Sequence, residues 1–199
     1  METGPVGGIT AQGVAFGANV NTRAMLEMPS QFDFYHGGGL DVCYLSFAEV
    51  DEKGNVGVHK FGGKIMGTGG FIDISTNAKK VAFCGTLTAG GLKTDVGGGE
   101  LKITQEGKFK KMVKKLPEVT FSAEGALRKG QEILYITERA VFKLEKDGLH
   151  LIEVAPGVDV EKDIVAQMEF KPVISANLKT MDKRLFTDAP MGITLPSHS

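Results

Sequence analysis

The chain has no tryptophan, two cysteines and four histidines in 199 residues, and each scarcity removes a class of protein. Cys43 and Cys84 lie in apolar strand-like runs, Val42-Cys43-Tyr44-Leu45 and Val81-Ala82-Phe83-Cys84. With no disulfide framework, both read as buried free thiols of a reducing compartment. His36, His59, His150 and His198 have no cysteine or histidine at metal-ligand spacing, so no metal site is expected. Charge of one sign is equally scarce. With 23 Lys+Arg against 24 Asp+Glu, no excess exists to draw nucleic acid or an anionic membrane. No apolar run approaches the ~20 residues of a membrane span, and the first residues show no signal-peptide pattern. The expectation is a cytoplasmic soluble protein of one domain, residues 1–199, with a flexible tail over 188–199. An apolar fraction of 42% is enough for a real core.

Glycine is what is abundant. The 27 glycines are nearly twice the usual share of about 7%. They cluster as Gly7-Gly8, Gly37-Gly38-Gly39, Gly62-Gly63, Gly67 with Gly69-Gly70, Gly90-Gly91 and Gly97-Gly98-Gly99. Each group borders a β-type segment, where glycine serves positive-φ turns or backbone that a ligand must approach.

Residue patterning predicts an α/β fold: an open, mixed, largely parallel sheet flanked by helices, with antiparallel hairpins added in the second half. In the first half, strands are expected at Leu40–Phe47 (buried in the sheet), Val56–His59 and Lys80–Cys84. A short helix over Thr22–Glu27, capped by Asn21 and stopped by Pro29, and one over Asp73–Ala78 complete this half. In the second half, Leu101–Gln105, Val119–Ser122, Glu132–Ile136, Ala140–Leu144 and Leu149–Val154 read as strands joined by short charged turns. Asp159 is placed to cap a helix over Val160–Met168, and another short helix is expected near Leu178–Leu185. The basic run Lys108–Lys115, apolar at 109, 112, 113 and 116, reads as an amphipathic helix. Its lysines form either a solvated face or a phosphate contact.

Candidate chemistry begins at Glu2, followed by Thr3-Gly4-Pro5-Val6-Gly7-Gly8. A carboxylate beside residues without side chains suits a covalent nucleophile that a bulky thioester must reach, although, taken alone, an ordinary exposed glutamate fits better. Phe34-Tyr35-His36-Gly37-Gly38-Gly39-Leu40-Asp41 leads aromatics into triple glycine, and Gly67-Thr68-Gly69-Gly70-Phe71-Ile72-Asp73 leads glycines toward a helix start. Each is either a tight turn or part of a site. The last is neither a dinucleotide fingerprint nor a phosphate loop, since no Lys-Ser or Lys-Thr follows. Glu138-Arg139 reads as an ion pair at a strand junction.

Taken together with Ile136–Phe142 and Ile152–Gly157, these segments resemble one family, the class I CoA-transferases of the short-chain acyl-CoA:acetate/3-ketoacid type. The resemblance covers nearly the whole chain, with five blocks in family order. It implies a CoA-transferase/NagB-like fold and the glutamate-bearing, beta-type C-terminal half of such an enzyme. It also implies catalysis by Glu2 through a glutamyl-CoA thioester, and an oxyanion and CoA site at the Gly69 and Gly70 amides. Gly37, Gly38 and Gly39 would leave room for a short acyl chain. The expected partners are acyl-CoA, short-chain carboxylic acids, the N-terminal alpha-type half and further copies in a homo-oligomer. Coenzyme A enters as substrate, with no other cofactor. Two positions depart from the family pattern, His36 where an acid is commoner and Gly57 where asparagine is expected. An inert domain fragment, a hydrolase using the same intermediate and a phosphate-binding module are the competing readings.

Overall fold

The structure is a computed structural model and describes residues 2–11, 15, 17–61 and 63–194. The end of the expected tail, residues 195–199 with His198, lies outside the described residues. The main sheet has six strands: β1 (Val42–Ser46), β2 (Lys80–Cys84), β3 (Glu132–Ile136), β4 (Ala140–Glu145), β5 (Gly148–Val154) and β6 (Val173–Thr180). Their spatial order is β6-β5-β4-β3-β2-β1. Strands β1, β2 and β3 run parallel, with Val42 opposite Lys80 and Lys80 opposite Glu132. The β3–β4–β5 meander is antiparallel, and β6 returns parallel to β5. This is the expected mixed, largely parallel sheet with antiparallel hairpins in the second half.

Strand alternation divides the side chains between two cores. Cys43, Val81, Phe83, Ile133 and Tyr135 point to the face covered by the helices α2 (Phe71–Asn77) and α3 (Ala123–Lys129). The Phe83 ring stacks on Phe71 at 5.7 Å and on Tyr135 at 5.6 Å, and meets Phe121 edge-on at 5.0 Å. The Tyr135 hydroxyl donates to the Gly54 carbonyl, which satisfies its polar end inside the core. On the opposite face, Val141, Leu101 and Phe186 form a smaller cluster. Ser122 caps α3 by accepting from the Gly125 N–H, and Gly130 ends that helix in the left-handed region, φ 69°.

Several expectations fail, each for a local reason. No helix forms over Thr22–Glu27: Ala24–Met25 pairs antiparallel with Pro5–Val6, and Asn21 has φ 58° instead of cap geometry. The helix α1 spans Met28–His36, so Pro29 lies in its first turn, where the missing N–H and fixed φ are tolerated. The expected helix stop at Pro29 is instead a helix start. The basic run forms two short strands, Phe109–Lys110 and Met112–Val113, and Met112 and Lys111 are buried. Val119–Ser122 contributes only an isolated bridge, Phe121 to Val56. The Leu178–Leu185 helix is replaced by the end of β6 and a single 3-10 turn, Lys183–Phe186. Pairing with β5 outweighs local helix propensity there. Strand β1 is an edge strand whose Val42 and Tyr44 are exposed, and Cys84 is also exposed; only Cys43 is a buried thiol. Among the described residues no helix is long and apolar enough to cross a membrane.

Candidate active site

The Glu2 carboxylate lies against the glycine loop that starts α2. The Gly70 N–H donates to Glu2 Oε2 at 3.1 Å, joining residues 68 positions apart in sequence. A Cβ on Gly70 would fall well inside contact distance of that oxygen and would also meet the Phe32 ring at 2.7 Å. Glycine at position 70 is therefore a steric requirement of this arrangement. Gly67 and Gly69 have φ 81° and 50° with nothing within 4 Å of a Cβ, so the loop beside Glu2 stands in open space.

Helix α1 holds the glutamate-bearing segment in place. The buried Gln31 accepts the Gly4 N–H on its Oε1 at 2.8 Å, and the Leu26 N–H donates to the Gly4 carbonyl at 2.9 Å. Gly4 has φ 101°, and a Cβ there would collide with the Leu26 carbonyl. Tyr35, one turn beyond Gln31, is buried; burial pushes its phenol pKa up, the Gln31 hydrogen bond opposes this, and the charge of Glu2 adds to the rise. Glu2 thus sits among a backbone N–H, two aromatic rings and a buried amide. Nothing in the sequence around Gln31 marks this role, since Pro29 reads locally as a helix stop and only the fold makes it the first turn of α1.

The triple glycine lies elsewhere. The Gly37, Gly38 and Gly39 N–H groups donate to Asp33, Tyr35 and Phe34 carbonyls at 2.8, 3.1 and 2.9 Å, closing the C-terminal end of α1. Gly37 and Gly38 line a cleft of about 570 Å³ with Asn77, Lys79 and Gln131, at the amino ends of β2 and β3. Gly70 and Glu2 mark the other end of α2, the end that faces the carboxyl ends of the parallel strands. His36 pairs with Asp73 of α2 at 3.1 Å, and Gly57 faces Leu116, whose Cδ2 would lie 3.2 Å from a Cβ. The structure therefore brings together Glu2 and Gly70, leaves Gly69 beside them in the open loop, and places Gly37–Gly39 at the opposite end of α1.

Glu138-Arg139 is the ion pair expected, in a larger network. The fully buried Arg139 guanidinium donates to Glu138 Oε1 at 2.5 Å, to both oxygens of Glu106 at 2.8 and 3.0 Å, and to the Asp163 carbonyl at 2.9 Å. Among the described residues no group of three or more His, Cys, Asp or Glu side chains gathers as a metal site would.

The Glu2 carboxylate on the Gly70 N–H thus lies toward the carboxyl ends of the parallel strands, where open α/β sheets receive ligands. The chain is 70% identical over 196 residues to acetate CoA-transferase YdiF of Escherichia coli O157:H7, covering 98% of this chain and 37% of that protein. It is 46% identical to caffeate CoA-transferase of Acetobacterium woodii over 94% of this chain and 36% of that protein. It is 33% identical to acetate CoA-transferase subunit beta of Haemophilus influenzae, over 75% of this chain and 57% of that subunit. A solved structure of the E. coli O157:H7 acyl-CoA transferase YdiF, a thioester complex with CoA, superposes with a TM-score of 0.93 at 68% identity, covering 98% of this chain and 37% of that one. No family model matches the chain. The chain belongs to the class I CoA-transferases. It spans little more than a third of the length of the YdiF and caffeate relatives.

Proposed function

We propose that this chain carries the nucleophile of an enzyme that moves CoA between a short-chain acyl-CoA or 3-ketoacyl-CoA and a carboxylic acid such as acetate. The observation that carries the proposal is the Glu2 carboxylate on the Gly70 N–H. In the first half-reaction Glu2 attacks the thioester carbonyl, releasing CoA thiolate and leaving a mixed anhydride. The thiolate then attacks the glutamyl carbonyl, which frees the carboxylate product and leaves CoA on Glu2 as a thioester. An acceptor acid reverses both steps, so the kinetics are ping-pong. Gly70 supplies a neutral donor for the oxyanion on the glutamyl carbonyl, with the Gly69 amide beside it. The YdiF structure described as a CoA thioester complex supports this route at 68% identity.

The reading includes a second half. In it an alpha-type half completes the site within a cytoplasmic homo-oligomer; the match to about 37% of YdiF and a relative called subunit beta support the companion half. The test is the intact mass of the chain with its companion half after incubation with acetyl-CoA, with Glu2→Gln as control. A CoA-sized gain that borohydride removes, and that the variant lacks, is the expected result. No adduct from a correctly paired wild-type enzyme would sink Glu2 as nucleophile.

A further inference from the structure

The carboxyl ends of β1, β2 and β3 converge on a buried lysine. Lys111 is 8% exposed, and its ammonium lies 4.0 Å from the centroid of the Phe47 ring, just past β1. Gly85, just past β2, is so near that a Cβ there would stand 2.9 Å from Lys111 Nζ. Glu138, just past β3, is the carboxylate whose charge acts on this lysine. Both of its oxygens are engaged elsewhere, Oε1 by Arg139 at 2.5 Å and Oε2 by the Leu87 N–H at 2.9 Å.

Among the described residues no hydrogen bond reaches the Lys111 ammonium. Three donors on a largely desolvated cation therefore stand open, an arrangement that is unfavourable unless an anion or water completes it. Burial pushes the pKa of this lysine down, against the pull of Glu138. Asn19 Oδ1 is the only fully buried side-chain polar atom without a partner among the described residues, so the ammonium keeps a route to solvent. Arg139 cannot take its place, because Glu106, Glu138 and the Asp163 carbonyl occupy its guanidinium.

Placement connects Lys111 to Glu2. Val81 and Phe83 share a sheet face with Phe47 and, by strand alternation, with Gly85. Phe71, which stacks on Phe83, directly follows the Gly70 that holds Glu2. Both charged groups thus lie at the carboxyl end of one sheet face, where open α/β sheets receive ligands.

We propose that the Lys111 ammonium receives the carboxylate of the acid substrate before it attacks the glutamyl thioester, an assignment that rests on the CoA-transferase reading. The acid arrives as an anion, and the Glu138 carboxylate near Lys111 is already engaged by Arg139 and the Leu87 N–H. A compact cation with free donors offsets the acid's loss of water, and glycine at 85 lets the ammonium and the Phe47 ring pack against the backbone just past β2. Lys111 stays protonated throughout. The carboxylate oxygen attacks the glutamyl carbonyl and expels CoA thiolate, and the thiolate then takes the acyl group and restores the Glu2 carboxylate.

The test separates the half-reactions of the complete paired enzyme. Thioester formation from acetyl-CoA is followed by rapid-quench mass spectrometry, and discharge of the isolated thioester is followed against propionate concentration. In Lys111→Met the propionate concentration for half-maximal discharge rises by about ten-fold or more, while thioester formation changes far less; Lys111→Arg recovers part of the loss. An unchanged propionate dependence overturns the proposal. So does a shift in acetyl-CoA dependence of equal size, which assigns the lysine to CoA or to the scaffold. Should Lys111→Met fail to fold, Lys111→Arg decides, through a shift confined to the propionate dependence or its absence. A wild-type enzyme that forms no thioester would instead defeat the underlying CoA-transferase reading.

Discussion

The Gly70 N–H and the Glu2 carboxylate are in hydrogen-bond contact at 3.1 Å, and the missing side chain of Gly70 is what allows it. The same atoms give a sharp prediction. Gly70→Ala keeps the N–H but drives a methyl group into Glu2 Oε2 and the Phe32 ring, so the carboxylate must leave its donor. Thioester formation should fall by a hundred-fold or more, about the loss on removing one oxyanion donor. Gly69→Ala meets no atom within 4 Å and bears only the strain of φ 50°, so its loss should be much smaller. Rapid-quench mass spectrometry of both variants checks this; equal losses would mean that loop conformation matters and the Gly70 contact does not.

The strands β2 and β3 were legible in the sequence, as clear apolar runs with turn signals. Glu2 and the Gly67–Gly70 cluster read singly as an exposed glutamate and a tight turn, and only their order among five family-like blocks marks them as a candidate site. Contacts across the chain were not legible. Gln31 has no assigned role when Pro29 is taken as a helix stop, yet its amide oxygen clamps Gly4 from within α1. Lys111 sat in a run whose spacing matched a helix, and only tertiary packing against Phe47 decides that it is buried. The C-terminal part of β6 was missed for the same reason, since its polar Lys179 and Thr180 make sense as strand residues only opposite Glu153 and Val154 of β5.

Gln31 should act as a positioning residue. Gln31→Leu keeps the volume and helix propensity but leaves the Gly4 N–H without its acceptor, costing about 1–3 kcal/mol. The Glu2 segment would then be freer relative to Gly70. Thioester formation should slow at least ten-fold while the acetyl-CoA concentration for half-maximal rate changes little, and Gln31→Glu, which restores an acceptor, should recover part of the rate. A variant with wild-type rate and a lowered melting temperature would restrict Gln31 to stability.

The aromatic cluster around Phe83 supports the sheet face that carries this site. Phe83 is fully buried between Phe71, Phe121 and Tyr135, so Phe83→Ala should destabilise the fold by about 3–5 kcal/mol. Phe34, 57% exposed, offers a control: Phe34→Ala should lower stability far less. Urea unfolding of both variants distinguishes them, and similar midpoints would mean that Phe83 is not central to the core.

Acid sensitivity should trace to Arg139. Burial alone would raise the Glu106 pKa, yet hydrogen bonds from Arg139 and Thr88 hold it below the ordinary glutamate range. A carboxylate with a lowered folded-state pKa contributes its full stability above its unfolded value, about 4.3, and loses it as pH falls through the lower folded value. Glu106→Gln removes that charge and leaves a guanidinium buried with Glu138 alone, so at pH 7 it should cost about 3 kcal/mol. As pH falls from the unfolded value through the lower folded one, the wild-type carboxyl gains its proton and the gap between the two proteins should close. Melting temperatures of both from pH 7 to pH 3 test the sign. A gap that stays constant, or widens in acid, would show that Glu106 does not carry the titration. The exposed Lys79–Asp41 pair serves as the contrast, since screening by water leaves little for Asp41→Asn to remove at any pH.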